Sequence, residues 1–172
     1  MLHVCSLPRL RDTVASAGAR HVITLLDAAA PIARPPGVAA DDHLIIRVND
    51  ILEPQEGLVC PDGSHVETLI DFVGRWAQAG PLVIHCFAGI SRSTASAFIT
   101  ACAIAPNRSE IQIAAALRRA SRTATPNARL VALADERLAR NGRMVAAIQA
   151  IGRGTTAFEG EPFRLSTAPD GA

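Results

Sequence analysis

The sequence predicts an α/β fold: a central, mainly parallel sheet of about four to five strands flanked by helices, with a further helical layer from the C-terminal half. Three observations predict it. Short β-like runs alternate with helical or irregular stretches ahead of His85, which is the rhythm of βαβ units. Leu82-Val83-Ile84-His85 is apolar without alternation, as in a strand buried on both faces in mid-sheet. From Ser93 to Ile151 almost every segment carries helical spacing or helix-end signals.

In order, residues 2–7 read as a strand, 8–19 as a helix, and 21–26 and 44–48 as two more strands. Between the latter two, Pro31, Pro35, Pro36 and Gly37 predict a long surface loop over 27–42. Ser64, with Glu67 three residues on, has the pattern of a capping box. Val66, Leu69, Ile70, Val73, Trp76 and Ala77 then recur at helical spacing until Gly80 and Pro81 stop them. Helices are predicted over 93–103 and over 109–120, the second capped by Ser109 with Gln112 as partner. The next starts at Thr125 as N-cap with Pro126 in its first position and runs to Asn141-Gly142, and a short one covers 143–151. Residues 1–151 form one domain. Residues 152–172, with four Gly, two Pro and scattered apolar side chains, are expected to be a flexible tail.

The chain has 172 residues, 49% hydrophobic and 19% charged, which suits a single core. With 17 basic and 16 acidic residues the net charge of +1 gives no field to collect polyanions. Nucleic acid and membrane surfaces are therefore not expected partners, and any anion must be captured locally. No apolar run approaches the ~20 residues that span a bilayer. The N-terminus, with Arg9 and Arg11, lacks the apolar core of a signal peptide, so a cytoplasmic location is expected. Every basic residue is Arg, the mark of a GC-rich, bacterial-type coding bias. The four cysteines, Cys5, Cys60, Cys86 and Cys102, form neither a disulfide framework nor a zinc pattern, so no metal or cofactor is expected. Nothing in the sequence fixes an oligomeric state.

One segment carries chemistry: His85-Cys86-Phe87-Ala88-Gly89-Ile90-Ser91-Arg92-Ser93, between the buried strand and a helix. The spacing Cys-x5-Arg occurs also at Cys5–Arg11 and Cys102–Arg108, but both of those enclose a Pro, which removes an amide donor. Only the middle copy sits at a strand-to-helix turn and contains a Gly. Such a loop can turn successive N–H groups of residues 87–92 inward at the positive end of a helix dipole, forming a cradle for an oxyanion. Gly89 allows a left-handed or close-packed backbone, and Arg92 can set its planar fork on two phosphoryl oxygens. A free thiol is ionised to only a few per cent near neutrality, so a nucleophile at Cys86 needs its thiolate favoured by the helix terminus, the loop amides and a hydroxyl. Ser93 is placed to donate that hydroxyl, although an ordinary helix cap is an equal reading. His85, on the opposite face of the strand from Cys86, reads as an anchor for the loop, and Cys5 and Cys102 read as small core hydrophobes.

These residues resemble the signature loop of the cysteine-based protein tyrosine phosphatases, and Ala-Gly-Ile-Ser-Arg-Ser is most similar to the compact dual-specificity branch. Residues 44–50, ending in Asn49-Asp50, resemble the strand and loop that carry that family's general acid, and Pro126-Asn127 resembles a pair at the start of a late helix. The resemblance implies two-step hydrolysis of a phosphorylated substrate through a phosphocysteine, without metal. Cys86 would attack, the loop residues Phe87, Ala88, Gly89, Ile90 and Ser91 with Arg92 would bind phosphate, Ser93 would assist the sulfur, and Asp50 would be acid and then base. His85 and Asn127 would be structural support. Asp62 and the pair Asp41-Asp42 remain rival acids. The Tyr-containing recognition loop and catalytic-water Gln motifs of the large tyrosine-specific branch have no match, which implies a shallow, permissive pocket. Two other functions stay open: a phosphate-binding module with little turnover, and a rhodanese-like sulfurtransferase, which also uses a Cys in an amide-lined loop.

Overall fold

The computed structural model describes residues 1–168. Its elements are β1 (Leu2–Ser6), α1 (Leu10–Ala17), β2 (His21–Leu26), β3 (His43–Arg47), α2 (Gly63–Trp76), β4 (Leu82–Cys86), α3 (Arg92–Ile104), α4 (Glu110–Ala120), α5 (Ala128–Arg137), α6 (Arg143–Ile151) and β5 (Phe163–Leu165). The sheet order is β3-β2-β4-β1-β5. The first four strands are parallel, and β5 pairs antiparallel with β1. The α/β architecture is as expected, and β4 takes the mid-sheet position that its unbroken apolar run demands.

Both sheet faces are covered, because the strands alternate between two buried sides. Val4, Ile23, Leu25, Ile46 and Ile84 belong to the main core with Trp76, Phe98, Leu117 and Leu130 from the helices. Cys5, Val22 and Val83 face the other way, under Leu10 and Val14 of α1 and Val38 of the 27–42 loop. Helix α3 is the axis of the helical side: every residue from Arg92 to Cys102 is buried. Its Ala, Ser and Thr side chains are small enough to let β4, α2, α4 and α5 approach it together. Since β1–β4 are parallel, the residues that follow them gather at one edge of the sheet, where crevices form in open α/β folds.

Three local expectations are corrected. Helix α2 is capped by Asp62 rather than Ser64: its carboxylate accepts from the N–H groups of Ser64 (3.0 Å) and His65 (3.3 Å), and His65 Nδ1 accepts from the Asp62 N–H (3.2 Å). An anionic acceptor at the positive helix end outcompetes the hydroxyl. Helix α5 is capped by Asn127, whose Oδ1 accepts the Leu130 N–H at 3.0 Å. Thr125 is occupied elsewhere, and α5 stops at Arg137, before Ala139 and Asn141 adopt left-handed backbone.

The tail expectation fails over residues 152–168. Gly154 donates to Thr125 Oγ1 (3.0 Å), the Thr155 N–H to Arg122 (2.9 Å) and the Gly160 N–H to Ala88 (2.8 Å). β5 then buries Phe163 and Leu165 beside β1. The segment is a strap that pairs with an edge strand, and such long-range pairing leaves no periodic signal in so short a run. The remainder of the predicted tail, 169–172, lies outside the described residues.

Candidate active site

The loop 87–91 leaves the end of β4 and enters the first turn of α3. Cys86, the last residue of the strand, is 2% exposed, and its sulfur lies 3.1 Å from the hydroxyl of Ser93 in that first turn. Ser93 is therefore a partner of the thiol, and the helix N-cap is Ser91 instead. The Ser91 hydroxyl does not cap; it donates to Asp50 Oδ1 at 2.7 Å.

The loop carbonyls are pinned outward one by one. Phe87 O accepts from Leu7 N–H (3.0 Å), Ala88 O from Gly160 (2.8 Å), Ile90 O from Thr125 (2.9 Å), and Ser91 O from Ala95 (2.9 Å) and Asn127 (3.3 Å). In a trans peptide the N–H points opposite to the carbonyl it is bonded through. Fixing these four oxygens outward thus turns the N–H groups of Ala88, Gly89, Ser91 and Arg92 toward the concave side, where they form a nest of donors. Gly89 has φ +73°, and a Cβ there would lie 2.8 Å from the Ser6 nitrogen and 2.9 Å from the Cys5 carbonyl carbon. Only Gly lets the loop lie on β1 this closely.

Arg92 is 7% exposed, and its Nη1 donates to the Val48 carbonyl at 2.8 Å, which moors the guanidinium to the end of β3. Its Nε is buried without a partner among the described residues. A buried, charged donor left unsatisfied costs about 1–3 kcal/mol or more and is relieved by an anion.

Asp50 follows β3 and is brought to the same edge. Its Oδ1 takes the Ser91 hydroxyl and the Asn127 amide (2.8 Å), and Oδ2 makes no bond among the described residues. The loop that carries it is braced: the Asn49 N–H bonds to Val59 O (2.8 Å), the Val59 N–H to Asn49 Oδ1 (2.9 Å), and Arg129 donates to Leu52 O (3.1 Å) and Pro61 O. The rival carboxylates are elsewhere. Asp62 is the exposed cap of α2, where the Ser64 hydroxyl holds its carboxyl below the usual carboxylate range. Asp41 and Asp42 precede β3, and Asp42 pairs with His21 at 3.3 Å. They sit at the opposite end of a five-residue strand from Asp50, which spans roughly 15 Å or more at ~3.3 Å per residue.

His85 is fully buried, and burial drives it down to about 4, so it is neutral near pH 7. Its Nε2 is 2.7 Å from Thr24 Oγ1, which is itself 2.8 Å from His43 Nε2. This polar row crosses β4, β2 and β3 beneath the site, and burial lowers His43 as well. Neither Thr24 nor His43 stands out in the sequence reading, although a lone Thr within the apolar run 21–26 is the one available signal. Gly160 and Arg129 carry no local signal, because each acts on a segment remote in sequence. The remaining cysteines are free thiols. Burial pushes Cys5 up to about 11 and Cys102 up to about 12, in keeping with core roles.

No protein-family model matches the sequence, and no curated protein matches it. Solved structures do. DUSP15 superposes with a TM-score of 0.62 at 19% identity, covering 87% of this chain and 89% of that one. The PTP-2 phosphatase of Cydia pomonella gives 0.61 at 22% identity over 78% and 84% of the two chains. Human DUSP28 gives 0.55 at 20% identity over 87% and 94%. At these identities the likeness is one of backbone, and with the sheet order above it establishes that this chain has the α/β fold of the dual-specificity and tyrosine phosphatases.

Proposed function

We propose that the protein is a cysteine-dependent phosphomonoester hydrolase of the dual-specificity type. The Cys86 thiolate attacks phosphorus while Arg92 and the amides of the loop hold the non-bridging oxygens. The P–O ester bond breaks, and Asp50 gives the proton carried on its free Oδ2 to the departing oxygen. Water then attacks the phosphocysteine, Asp50 accepts a proton from it, and the sulfur leaves as thiolate with the Ser93 hydroxyl donating to it. The products are an alcohol or phenol and inorganic phosphate. The observation that carries this reading is the carboxylate of Asp50 held on Ser91 of the cradle itself. A module that only binds phosphate has no use for an acid there, and a sulfurtransferase has no leaving oxygen to protonate. Four free thiols, the buried Cys5 and Cys102, the part-buried Cys60 and the proposed nucleophile Cys86, suit a reducing, cytoplasmic setting.

The test is hydrolysis of p-nitrophenyl phosphate with EDTA present. Cys86→Ser and Arg92→Ala abolish turnover, and Asp50→Ala lowers it by about two to four orders of magnitude on a poor leaving group. Turnover undiminished in Cys86→Ser, or persulfide formation from thiosulfate at a faster rate, overturns the reading.

A further inference from the structure

A groove of about 550 Å³ opens directly beside the cradle. Asp50, Ile90 and Ser91 line it on the side of the cradle, and Arg153, Thr155 and Thr156 of the strap contribute to its lining. Its volume is that of a site for a drug-sized molecule or a few residues of peptide. We propose that this groove receives the leaving-group part of the substrate, and that Arg153 selects substrates bearing a second anion there. The proposal rests on the phosphatase reading above and extends it to specificity.

The strap wall is built, not loose. Gly154 is pressed against the 122–125 turn so closely that a Cβ would lie 2.5 Å from the Thr123 carbonyl carbon. Arg118 Nη2 donates to Gly152 O at 2.8 Å, on one side of Arg153, and the Thr155 N–H bonds to Arg122 O on the other. Arg118 and Arg129 beside the groove are committed: Arg118 holds the carbonyls of Ser121, Arg122 and Gly152, and Arg129 those of Leu52 and Pro61. Arg153 is the one lining cation, and it makes no hydrogen bond or ion pair among the described residues. The phosphoryl group is bound by the cradle whatever it is attached to. Discrimination among esters must come from what the leaving group meets, and the groove shares Asp50, the proposed donor to that leaving oxygen.

Two probe pairs test this. One is a biphenyl phosphate with a 4′-carboxylate against the same ester with a 4′-carboxamide. The other is a short phosphopeptide with Glu against Gln beside the phosphoresidue. The ratio of kcat/KM within each pair is read in wild type, Arg153→Gln and Arg153→Lys. Wild type prefers the anionic member of at least one pair by about three- to fivefold, the scale of an exposed charge pair. The preference weakens with added salt, disappears in Arg153→Gln and is partly kept in Arg153→Lys. Which pair shows it separates a compact bis-anion from an acidic peptide. Ratios near one in both pairs, or a preference retained in Arg153→Gln, overturn the inference while leaving the phosphatase reading standing. If no probe is hydrolysed, both fall.

Discussion

The buried histidine row makes acid stability a direct readout of the site's foundations. His85 has an ordinary value of 6.5 and is driven to about 4 in the fold, first by burial and also by His43 nearby. As pH falls below 6.5 the unfolded chain binds a proton at this residue and the folded chain does not. Protonation therefore favours the unfolded state, and stability falls with pH between about 6.5 and about 4, then levels off. The gap between these values, at about 1.4 kcal/mol per pH unit, amounts to roughly 3 kcal/mol lost at the acid end of the window. His43 and His3 are lowered too, so the whole protein loses more, and the comparison with His85→Gln isolates this residue's share. Urea titrations followed through the single tryptophan, Trp76, give the unfolding free energy at each pH. The difference between wild type and variant is expected to be constant above pH 6.5 and to shift by about 3 kcal/mol toward the variant by pH 4. A difference that stays flat across that window refutes the neutral, solvent-excluded His85 on which the reasoning depends.

Gly89→Ala combines a left-handed backbone with a Cβ 2.8 Å from Ser6, so it costs about 2–4 kcal/mol in urea melts or abolishes tungstate binding as the loop shifts. Ser93→Ala removes the hydroxyl 3.1 Å from the Cys86 sulfur. It slows hydrolysis of the phosphocysteine by about ten- to a hundredfold, seen as a burst of p-nitrophenol ahead of a slow steady state. Asn127→Ala loses the α5 cap and the amide bond to Asp50 together, so stability falls by about 1 kcal/mol and kcat falls more on alkyl than on nitrophenyl esters.

The elements that the sequence discloses are those whose cause is local. The unbroken run ahead of Cys86 shows a central strand, and the break at Arg92 shows the helix that creates the cradle. Asp50 is legible only through its place after a strand in a resembling segment. Asp62 was a rival because an isolated carboxylate looks the same whether it caps a helix or donates a proton; only the hydrogen bonds from Ser64 and His65 separate the two. The strap is illegible for a different reason. Two of the glycines in 152–168 pass close to other backbone: a Cβ on Gly154 would lie 2.5 Å from the Thr123 carbonyl carbon, and one on Gly160 would lie 3.0 Å from the Gly89 carbonyl oxygen. Composition alone reads such close-packed glycines as flexibility.

That strap bears on why a short motif is not sufficient for the chemistry. The potential inside the cradle depends on which way each peptide unit faces. A loop with the same residues 86–92 but with free carbonyls could present oxygens to the sulfur and repel both the thiolate and a phosphate. Here four of the five orientations are held from outside the loop: by the chain just after β1 at Leu7, the strap at Gly160, and the 125–127 turn at Thr125 and Asn127. On the mechanism proposed above, with His85 uncharged beneath it, amide dipoles, the Ser93 hydroxyl and Arg92 rather than an imidazolium are what would stabilise negative charge at the Cys86 sulfur. The short motif supplies the groups, and three remote segments supply the sign of the field.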